Sequence, residues 1–279
     1  MSATASFSID TPNGPQSVSV AYHRAGSGEP LLLLHGIGHH WQAWEPVLGI
    51  LATERDVIAV DLPGFGASPA LPDGVPYDLA SVVPTLGALC AELGIDRPHV
   101  AGNSLGGLLA LELGREKLVR SVTALSPAGF WSKGEQRYAV TILRAMRQGA
   151  AALPLPMIER LSHSAAGRAA LTSTIYARPG RRSPEAVVAE TLALRQATGF
   201  HETLAAGRDV FYLDDVCQIS GVPVTVAWGT RDMLLPRRQG IRAKHTIPGA
   251  RLVRLPGCGH VPMNDDPARV ARVILDTSR

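Results

Sequence analysis

The chain has 279 residues, of which 46% are hydrophobic and 18% charged, and its formal net charge at pH 7 is +3. This length suits one large α/β domain, or a domain with an insertion, and the composition is typical of globular proteins. Because the net charge is small and Lys and Arg form no run longer than two residues, we expect no nucleic acid as a partner.

The cysteines and the apolar runs also restrict the class of protein. Cys90, Cys217 and Cys258 are widely spaced and form no C-x-x-C pair, which predicts neither a disulfide framework nor a zinc site and indicates a reducing compartment. Residues 1–12 show no secretory signal pattern, and residues 31–34 are far fewer than the roughly 20 apolar residues that a membrane span requires. We therefore expect a cytoplasmic protein with no membrane span.

Strand and helix patterns alternate along most of the chain. Alternating apolar residues at 16–24 predict an early antiparallel strand that pairs with the segment around Phe7 and Ile9. Continuous apolar runs, which are typical of strands buried between helix layers, follow at residues 30–34, 57–60, 99–101, 122–125, 222–228 and 252–255. Helical patterns lie between them at residues 41–51, 79–93, 105–117 and 237–246. The alternation predicts a parallel sheet covered by helices on both faces.

The middle of the chain differs from the rest. Between residues 131 and 213 the strand patterns fade, and helical stretches occur at residues 138–148, 157–161 and 184–196, interrupted by prolines. Strand patterns resume at Val222. We therefore predict a core formed by residues 1–130 and 214–279, and a helical cap formed by residues 131–213 that lies over the carboxyl edge of the sheet.

Ser104 lies in a Gly-x-Ser-x-Gly motif, residues 102–106, between an apolar run and a helical pattern. A serine at a sharp strand-to-helix turn has a strained backbone and an exposed Oγ, and the flanking glycines leave room for this turn. The helix that follows presents free N–H groups and the positive end of its dipole to an oxyanion. This context predicts that Ser104 is a nucleophile.

Two further residues follow predicted strands and supply the groups that a serine nucleophile needs. Asp232 comes after the strand at residues 222–228, and His260 comes after the short strand at residues 252–255. Ligands of open parallel sheets bind at the carboxyl ends of the strands, where these side chains should meet Ser104. The imidazole would take the serine proton, and the carboxylate would fix its tautomer and stabilise its charged form.

Several other residues compete for these roles. Asp265 and Asp266 are alternative carboxylates, but N-capping of the helix that follows them explains one of the two better. Cys258 lies two residues before His260, but it lacks a strand-turn-helix context, so we expect a small filling side chain. His39 and His40 are adjacent on a helical pattern and diverge, so we expect no metal ion.

Residues 35–38, His-Gly-Ile-Gly, follow the first buried strand and can turn back towards the nucleophile. We expect the backbone N–H groups of Ile37 and Leu105 to bind the substrate oxyanion. We expect His35 itself to be buried and to hold this loop by hydrogen bonds.

These motifs together resemble the α/β-hydrolase family. The matching segments are residues 35–38, 61–68 (Asp-Leu-Pro-Gly-Phe-Gly-Ala-Ser), 102–107, 228–232 and 259–262, in the family's chain order of Ser, Asp and His. The resemblance implies an eight-stranded, mostly parallel sheet flanked by helices, with a helical cap inserted after the sixth strand. It also implies catalysis on a small-molecule substrate without a cofactor, and a structural role for residues 61–68.

The resemblance leaves three functions open. The first is hydrolysis of a small carboxylic ester through an acyl-enzyme. The second is cleavage of carbon–carbon bonds in ring-fission products of aromatic degradation, because Asn103 before the serine is similar to those hydrolases and Arg195 matches their cap arginine. Val261 departs from them, since they usually carry an aromatic residue after the histidine. The third is a ligand receptor on the same fold, although a receptor does not need an intact Ser104, Asp232 and His260 set.

One exclusion follows from the nucleophile itself. Haloalkane dehalogenases and epoxide hydrolases of this family attack through a carboxylate, whereas this chain has a serine at position 104. The oligomeric state and the natural substrate are left open by the sequence.

Overall fold

The computed structural model describes residues 2–212 and 219–279. The strands within these residues are β1 (Ala3–Ile9), β2 (Gln16–Gly26), β3 (Pro30–Leu34), β4 (Asp56–Val60), β5 (His99–Asn103), β6 (Ser121–Leu125), β7 (Val224–Gly229) and β8 (Arg251–Leu255). They form one sheet in the order β1-β2-β4-β3-β5-β6-β7-β8. Strand β2 runs antiparallel to β1 and β4, and every other neighbouring pair is parallel. The predicted eight-stranded, mostly parallel sheet is therefore confirmed.

Burial explains why the central strands read as continuous apolar runs. Every residue of β5 and β6 is buried, and the four leucines of β3 are at most 1% exposed. Such strands have helices over both of their faces, so alternation of apolar and polar residues is lost. In β1 the pattern alternates instead, and Ala5 and Phe7 point into the core while Thr4 and Ser6 are exposed.

Helices pack around this sheet. A helical insert between β6 and β7 is described below. The α-helices outside this insert are α1 (Glu45–Leu51), α2 (Leu79–Glu92), α3 (Leu105–Arg115), α9 (Arg238–Thr246), α10 (Pro262–Asp265) and α11 (Pro267–Thr277). Helix α3 packs on β5 and β6, and α1 packs on α11. No helix of the described residues is both long enough and apolar enough to cross a bilayer.

A helical insert separates β6 from β7. Its helices are α4 (Lys133–Ala152), α5 (Leu155–Ser162), α6 (Ala165–Thr172), α7 (Pro184–Gln196) and α8 (Phe200–Ala206). Helix α4 begins earlier than the pattern at residues 138–148 predicted, because Ser132 and Glu135 form a capping box at its start. Helices α6 and α8 were not predicted.

The predicted boundary between residues 213 and 214 lies outside the described residues, and the division into two domains stays a prediction.

The backbone of α3 touches the neighbouring strands at two glycines. A Cβ atom on Gly106 would lie 2.1 Å from the carbonyl oxygen of Leu34, and a Cβ atom on Gly102 would lie 2.0 Å from the carbonyl oxygen of Gly106. Real Cβ atoms do not approach backbone atoms so closely, so only glycine fits at either position. The Gly-x-Ser-x-Gly spacing is therefore a packing requirement of this fold.

We expect the Gly106→Ala variant to lose about 1–3 kcal/mol of unfolding free energy, because the added methyl group forces backbone atoms apart in a packed core. Urea unfolding of the purified protein measures this loss. The matched control is Gly49→Ala in α1, where no atom lies within 4 Å of the added Cβ atom. Alanine is the better helix former, so the control should gain up to about 1 kcal/mol. Equal unfolding midpoints for the two variants would contradict this packing argument.

Candidate active site

Ser104 lies at the turn between β5 and α3 with φ 57° and ψ −113°, outside the regions that non-glycine residues usually occupy. The turn is held by three backbone hydrogen bonds. The Ser104 N–H donates to the carbonyl of Leu125 at 3.0 Å, and the Ser104 carbonyl accepts from Leu108 at 3.0 Å and from Ala128 at 3.1 Å. These bonds stabilise a strained conformation that would otherwise relax. The side chain is thereby directed to a cavity that Ser104 lines.

Asp232 and His260 are joined directly. His260 Nδ1 lies 2.9 Å from Asp232 Oδ2, and the other carboxylate oxygen accepts the N–H groups of Leu234 at 3.0 Å and Leu235 at 2.8 Å. Asp232 thus accepts hydrogen bonds on both oxygens in a fixed orientation, and an acceptor at this position makes Nδ1 of the imidazole the donor. This is the pairing that the sequence predicted.

The opposite nitrogen of the imidazole has no partner in the described residues. His260 Nε2 is buried and has no hydrogen-bond partner among the residues that the structure describes, and His260 and Ser104 line the same cavity. A neutral Nε2 opposite a protonated Nδ1 is a proton acceptor. In ligand-free sites such catalytic hydrogen bonds are often long and shorten when substrate binds.

The loop after β3 lies against Ser104. A Cβ atom on Gly36 would lie 3.2 Å from the Ser104 Cβ atom, and residues 36–39 line the cavity. Neither the Ile37 N–H nor the Leu105 N–H donates a hydrogen bond to any described residue. Leu105 is the first residue of α3, where an unpaired N–H is expected. Both N–H groups are therefore unpaired in the described residues, and their role as oxyanion donors stays a prediction.

His35 holds this loop in place, as the sequence predicted. Its Nδ1 lies 2.7 Å from the Gly36 carbonyl, and the Leu62 N–H donates to its Nε2 at 3.0 Å. Burial lowers the pKa of His35 to about 4, so the imidazole is neutral at pH 7, with the proton on Nδ1. The segment at residues 61–68 is likewise structural, because the Asp61 carboxylate accepts the N–H groups of Trp41 and Ala67 at 2.6 and 2.8 Å.

Asn103 has a role that the sequence did not indicate. Its Nδ2 donates to the carbonyl of His260 at 2.9 Å and to the carbonyl of Leu125 at 3.0 Å, and the residue is 1% exposed. It therefore ties the loop that carries the histidine to the turn that carries the serine. Sequence patterns are local, and they gave no reason to connect residues that are 157 positions apart.

Asp265 fixes the same loop from the other side. This carboxylate is fully buried and accepts N–H groups from Gly259 at 2.7 Å, Ala177 at 3.0 Å and Arg178 at 2.7 Å. It thus connects the residue before His260 to the helical insert. Asp266, in contrast, caps α11 by accepting the Arg269 N–H at 3.2 Å. Neither of these two carboxylates takes the place of Asp232 beside the imidazole.

The cavity has a volume of about 360 Å³. One part of its lining comes from the end of β5 and from the loops that follow β3, β7 and β8, and the other part comes from the insert. The insert contributes mainly apolar side chains: Ile142, Leu143, Met146, Leu153, Leu171, Ile175 and Leu194. A largely apolar pocket of this size with few polar groups suits a small organic ligand.

Arg195 does not reach this cavity, contrary to its role as a predicted substrate-binding residue. It is exposed in the last turn of α7, whereas Glu190, Thr191 and Leu194 of the same helix line the cavity. Arg195 follows Thr191 by one helical turn, but at the C-terminal end of α7 its side chain is exposed to solvent.

The remaining reactive groups contribute less to the site. Burial and the nearby Asp265 and Asp266 raise the pKa of the Cys258 thiol to about 12, which keeps it protonated and makes it a poor nucleophile. Cys90 is buried with a free thiol, and Cys217 lies outside the described residues. No group of three metal-ligating side chains occurs within the part of the chain that the structure describes.

We expect Asp265→Asn to lose about 1–3 kcal/mol of unfolding free energy, because an amide replaces one acceptor oxygen with a donor that faces backbone N–H groups. Urea unfolding gives this value. Asp266→Asn is the matched control, and we expect a loss below about 1 kcal/mol because asparagine is also a good N-cap. An Asp265→Asn variant as stable as the control would show that the buried carboxylate does not hold the insert to the histidine loop.

Comparisons with known proteins agree with this architecture. A family model described as the alpha/beta hydrolase family matches residues 31–273. A pimeloyl-[acyl-carrier protein] methyl ester esterase of Aeromonas hydrophila is 30% identical over 262 residues, which cover 92% of this chain and 98% of the relative.

Solved structures show the same fold. A thermophilic esterase from Thermogutta terrifontis has a TM-score of 0.75 at 23% identity, with 97% of each chain covered. A meta-cleavage product hydrolase from Pseudomonas fluorescens has a TM-score of 0.72 at 22% identity, with 98% of this chain and 97% of that chain covered. Since the family model spans most of the sequence and the site geometry fits it, the chain belongs to the alpha/beta hydrolase family and is a hydrolase.

Proposed function

We propose that this hydrolase cleaves a small carboxylic ester through an acyl-enzyme formed on Ser104. The observation that carries the proposal is the hydrogen bond between His260 Nδ1 and Asp232 Oδ2, which leaves Nε2 free in the wall of the cavity that Ser104 lines. A fixed carboxylate, an oriented imidazole and a strained serine are the parts that nucleophilic acyl transfer requires.

In the proposed first half-reaction, Ser104 Oγ attacks the ester carbonyl carbon while His260 Nε2 takes the hydroxyl proton. Asp232 stabilises the resulting imidazolium and keeps its orientation. The N–H groups of Ile37 and Leu105 donate to the oxyanion of the tetrahedral intermediate. The carbon–oxygen bond to the alcohol then breaks, and the proton on Nε2 passes to the departing alkoxide.

In the second half-reaction, water attacks the acyl carbon and His260 takes a proton from that water. The bond to Ser104 Oγ breaks, the proton returns to the serine, and the carboxylic acid leaves. The apolar side chains of the insert would hold the acyl group in the cavity. We propose on this basis that residues 131–213 act as a cap over the carboxyl edge of the sheet.

The printed name of the Aeromonas relative, a methyl ester esterase, supports an ester as substrate. The second candidate is cleavage of carbon–carbon bonds, which Asn103 and the likeness to a meta-cleavage product hydrolase favour. Two observations count against it. Arg195 is exposed and is not among the residues that line the cavity, and Val261 stands where an aromatic residue is expected after the histidine.

We expect Ser104→Ala to lower kcat by roughly 10⁴-fold or more, because only binding and oxyanion stabilisation remain without the nucleophile. Hydrolysis of p-nitrophenyl esters measures kcat, and a fluorophosphonate probe followed by peptide mass spectrometry locates the reactive serine. The parent should be labelled at Ser104. Ser173→Ala, an exposed position on the insert, is the control and should behave like the parent.

The same assays separate the alternatives. A parent protein that is not labelled and cleaves no ester would support a ligand receptor instead of an enzyme. A dienoate ring-fission product belongs in the substrate panel, because efficient cleavage of that compound in preference to the esters would favour the carbon–carbon hydrolase.

We also expect Asp232→Asn to lower kcat by about 10⁴-fold, because an amide stabilises the wrong imidazole tautomer. Steady-state kinetics on the best ester measures this loss. The control is Asp266→Asn, which alters a helix cap outside the site and should leave kcat within about twofold of the parent. A similar loss in both variants would reassign the acidic member of the triad.

A further inference from the structure

A cluster of buried polar side chains lies in the helical insert. One oxygen of Glu190, Oε1, accepts hydrogen bonds from the Tyr176 hydroxyl at 2.9 Å and from the Arg182 guanidinium. The side chains of Arg182 and Glu190 are only 6% and 5% exposed. The guanidinium also lies over the Tyr176 ring, 5.9 Å from its centroid. The cluster therefore satisfies one side of the Glu190 carboxylate.

The other side of this carboxylate is unsatisfied. Glu190 Oε2 is buried and, like Arg182 Nε, has no hydrogen-bond partner in the described part of the chain, and Glu190 is one of the residues that line the cavity containing Ser104. Two threonines of the same wall, Thr172 and Thr191, donate their hydroxyl protons to carbonyls of their own helices. A buried carboxylate oxygen without a donor is costly, so it indicates a place where a ligand donor belongs.

We propose that Glu190 is a substrate-specificity residue whose Oε2 accepts a hydrogen bond from a hydroxyl or N–H group of an uncharged ester. This inference rests on the proposed esterase function and names the class of substrate for the same site. Burial raises the pKa of Glu190, and the Arg182 guanidinium opposes this rise. As the carboxylate partner of Arg182, Glu190 offers acceptors and no donor, so Oε2 distinguishes a substrate hydroxyl from a substrate carboxylate. Hydrogen bonds to a charged acceptor are about twice as strong as those between neutral groups.

The charge of Arg182 does not remove this selectivity. Its guanidinium neutralises much of the Glu190 charge, but it binds Oε1 and is absent from the described residues that line the cavity. A substrate carboxylate placed at Oε2 would therefore bring two acceptors together without a proton between them. A substrate with a terminal methyl group would leave Oε2 unpaired. A hydroxyl group avoids both costs.

The test compares three ester series of matched length: methyl alkanoates, their ω-hydroxy counterparts and the monomethyl esters of dicarboxylic acids. Chains from butanoate to octanoate cover the reach of the cavity, and proton release at constant pH measures kcat/KM. At the best chain length, we expect the parent to prefer the hydroxy ester over the carboxylate ester by about tenfold or more. In Glu190→Gln the amide can also donate a hydrogen bond. The kcat/KM values of the hydroxy ester and the carboxylate ester should therefore differ by no more than about threefold in this variant.

Glu185→Gln is the matched control, because it removes the same charge from an exposed position of the same helix. Its ratio of kcat/KM for the hydroxy ester to kcat/KM for the carboxylate ester should stay within about twofold of the parent's ratio.

Glu190→Gln leaves the buried Arg182 without its ion partner and could unfold the insert. The double variant Arg182→Met with Glu190→Leu removes both charges together, and it should lose the hydroxy preference as well.

The outcomes separate this inference from the proposed function. If the parent cleaves no ester in any series, the proposed ester hydrolysis is wrong. If the parent cleaves esters without a preference for hydroxy over carboxylate, or if Glu190→Gln changes kcat/KM for all three series in parallel, Glu190 has only a structural role. A preference that is present in the parent and the Glu185→Gln control but lost in both Glu190 variants supports the inference.

Discussion

The site depends on the direct backbone contact between α3 and β3. Gly106 sits so close to the Leu34 carbonyl that a Cβ atom would be 2.1 Å away, which leaves no room for another residue type. This contact fixes the start of α3, and Ser104 must therefore turn through a left-handed conformation with φ 57°. Strand β3 ends at Leu34, so the same contact also fixes where the loop at residues 35–38 begins. One packing constraint thus positions both Ser104, the proposed nucleophile, and the loop that carries a proposed oxyanion donor.

His260 is held from three directions that come from separate parts of the chain. Asp232 fixes its ring through Nδ1, Asn103 holds its backbone carbonyl, and Asp265 holds the N–H of Gly259 beside it. Because Asp265 also accepts the N–H groups of residues 177 and 178, the insert and the histidine loop share one buried carboxylate. The Val261 N–H also donates to the carbonyl of Ile175 at 3.0 Å, so a displacement of the insert at this point would reach the histidine loop through both contacts.

The sequence predicted the features that arise from local patterns. Apolar runs and the Gly-x-Ser-x-Gly motif indicated the buried strands, Ser104 and its neighbours, because burial between helix layers and a sharp turn leave local signatures. Long-range partners leave none, which is why the contact between Asn103 and His260, 157 residues apart, was not predicted. The exposed position of Arg195, outside the residues that line the cavity, could not be derived from the sequence for a related reason. The period of a helix gives relative directions of side chains, but it does not say which face meets a cavity until the neighbouring elements are known.

The charges around the cavity favour an uncharged substrate at the proposed esterase site. Desolvation lowers the pKa of His39 well below its usual value, so this cavity-lining imidazole is neutral, and Arg182 is engaged by Glu190. A substrate carboxylate would therefore meet no unpaired cation among the described residues of the cavity wall. In such apolar surroundings electrostatic interactions are stronger than in water, so the N–H groups of Ile37 and Leu105 would act on the developing oxyanion with little competition. The same surroundings that strengthen these donors also make an unpaired substrate charge costly, which is the physical reason for a neutral ester as substrate.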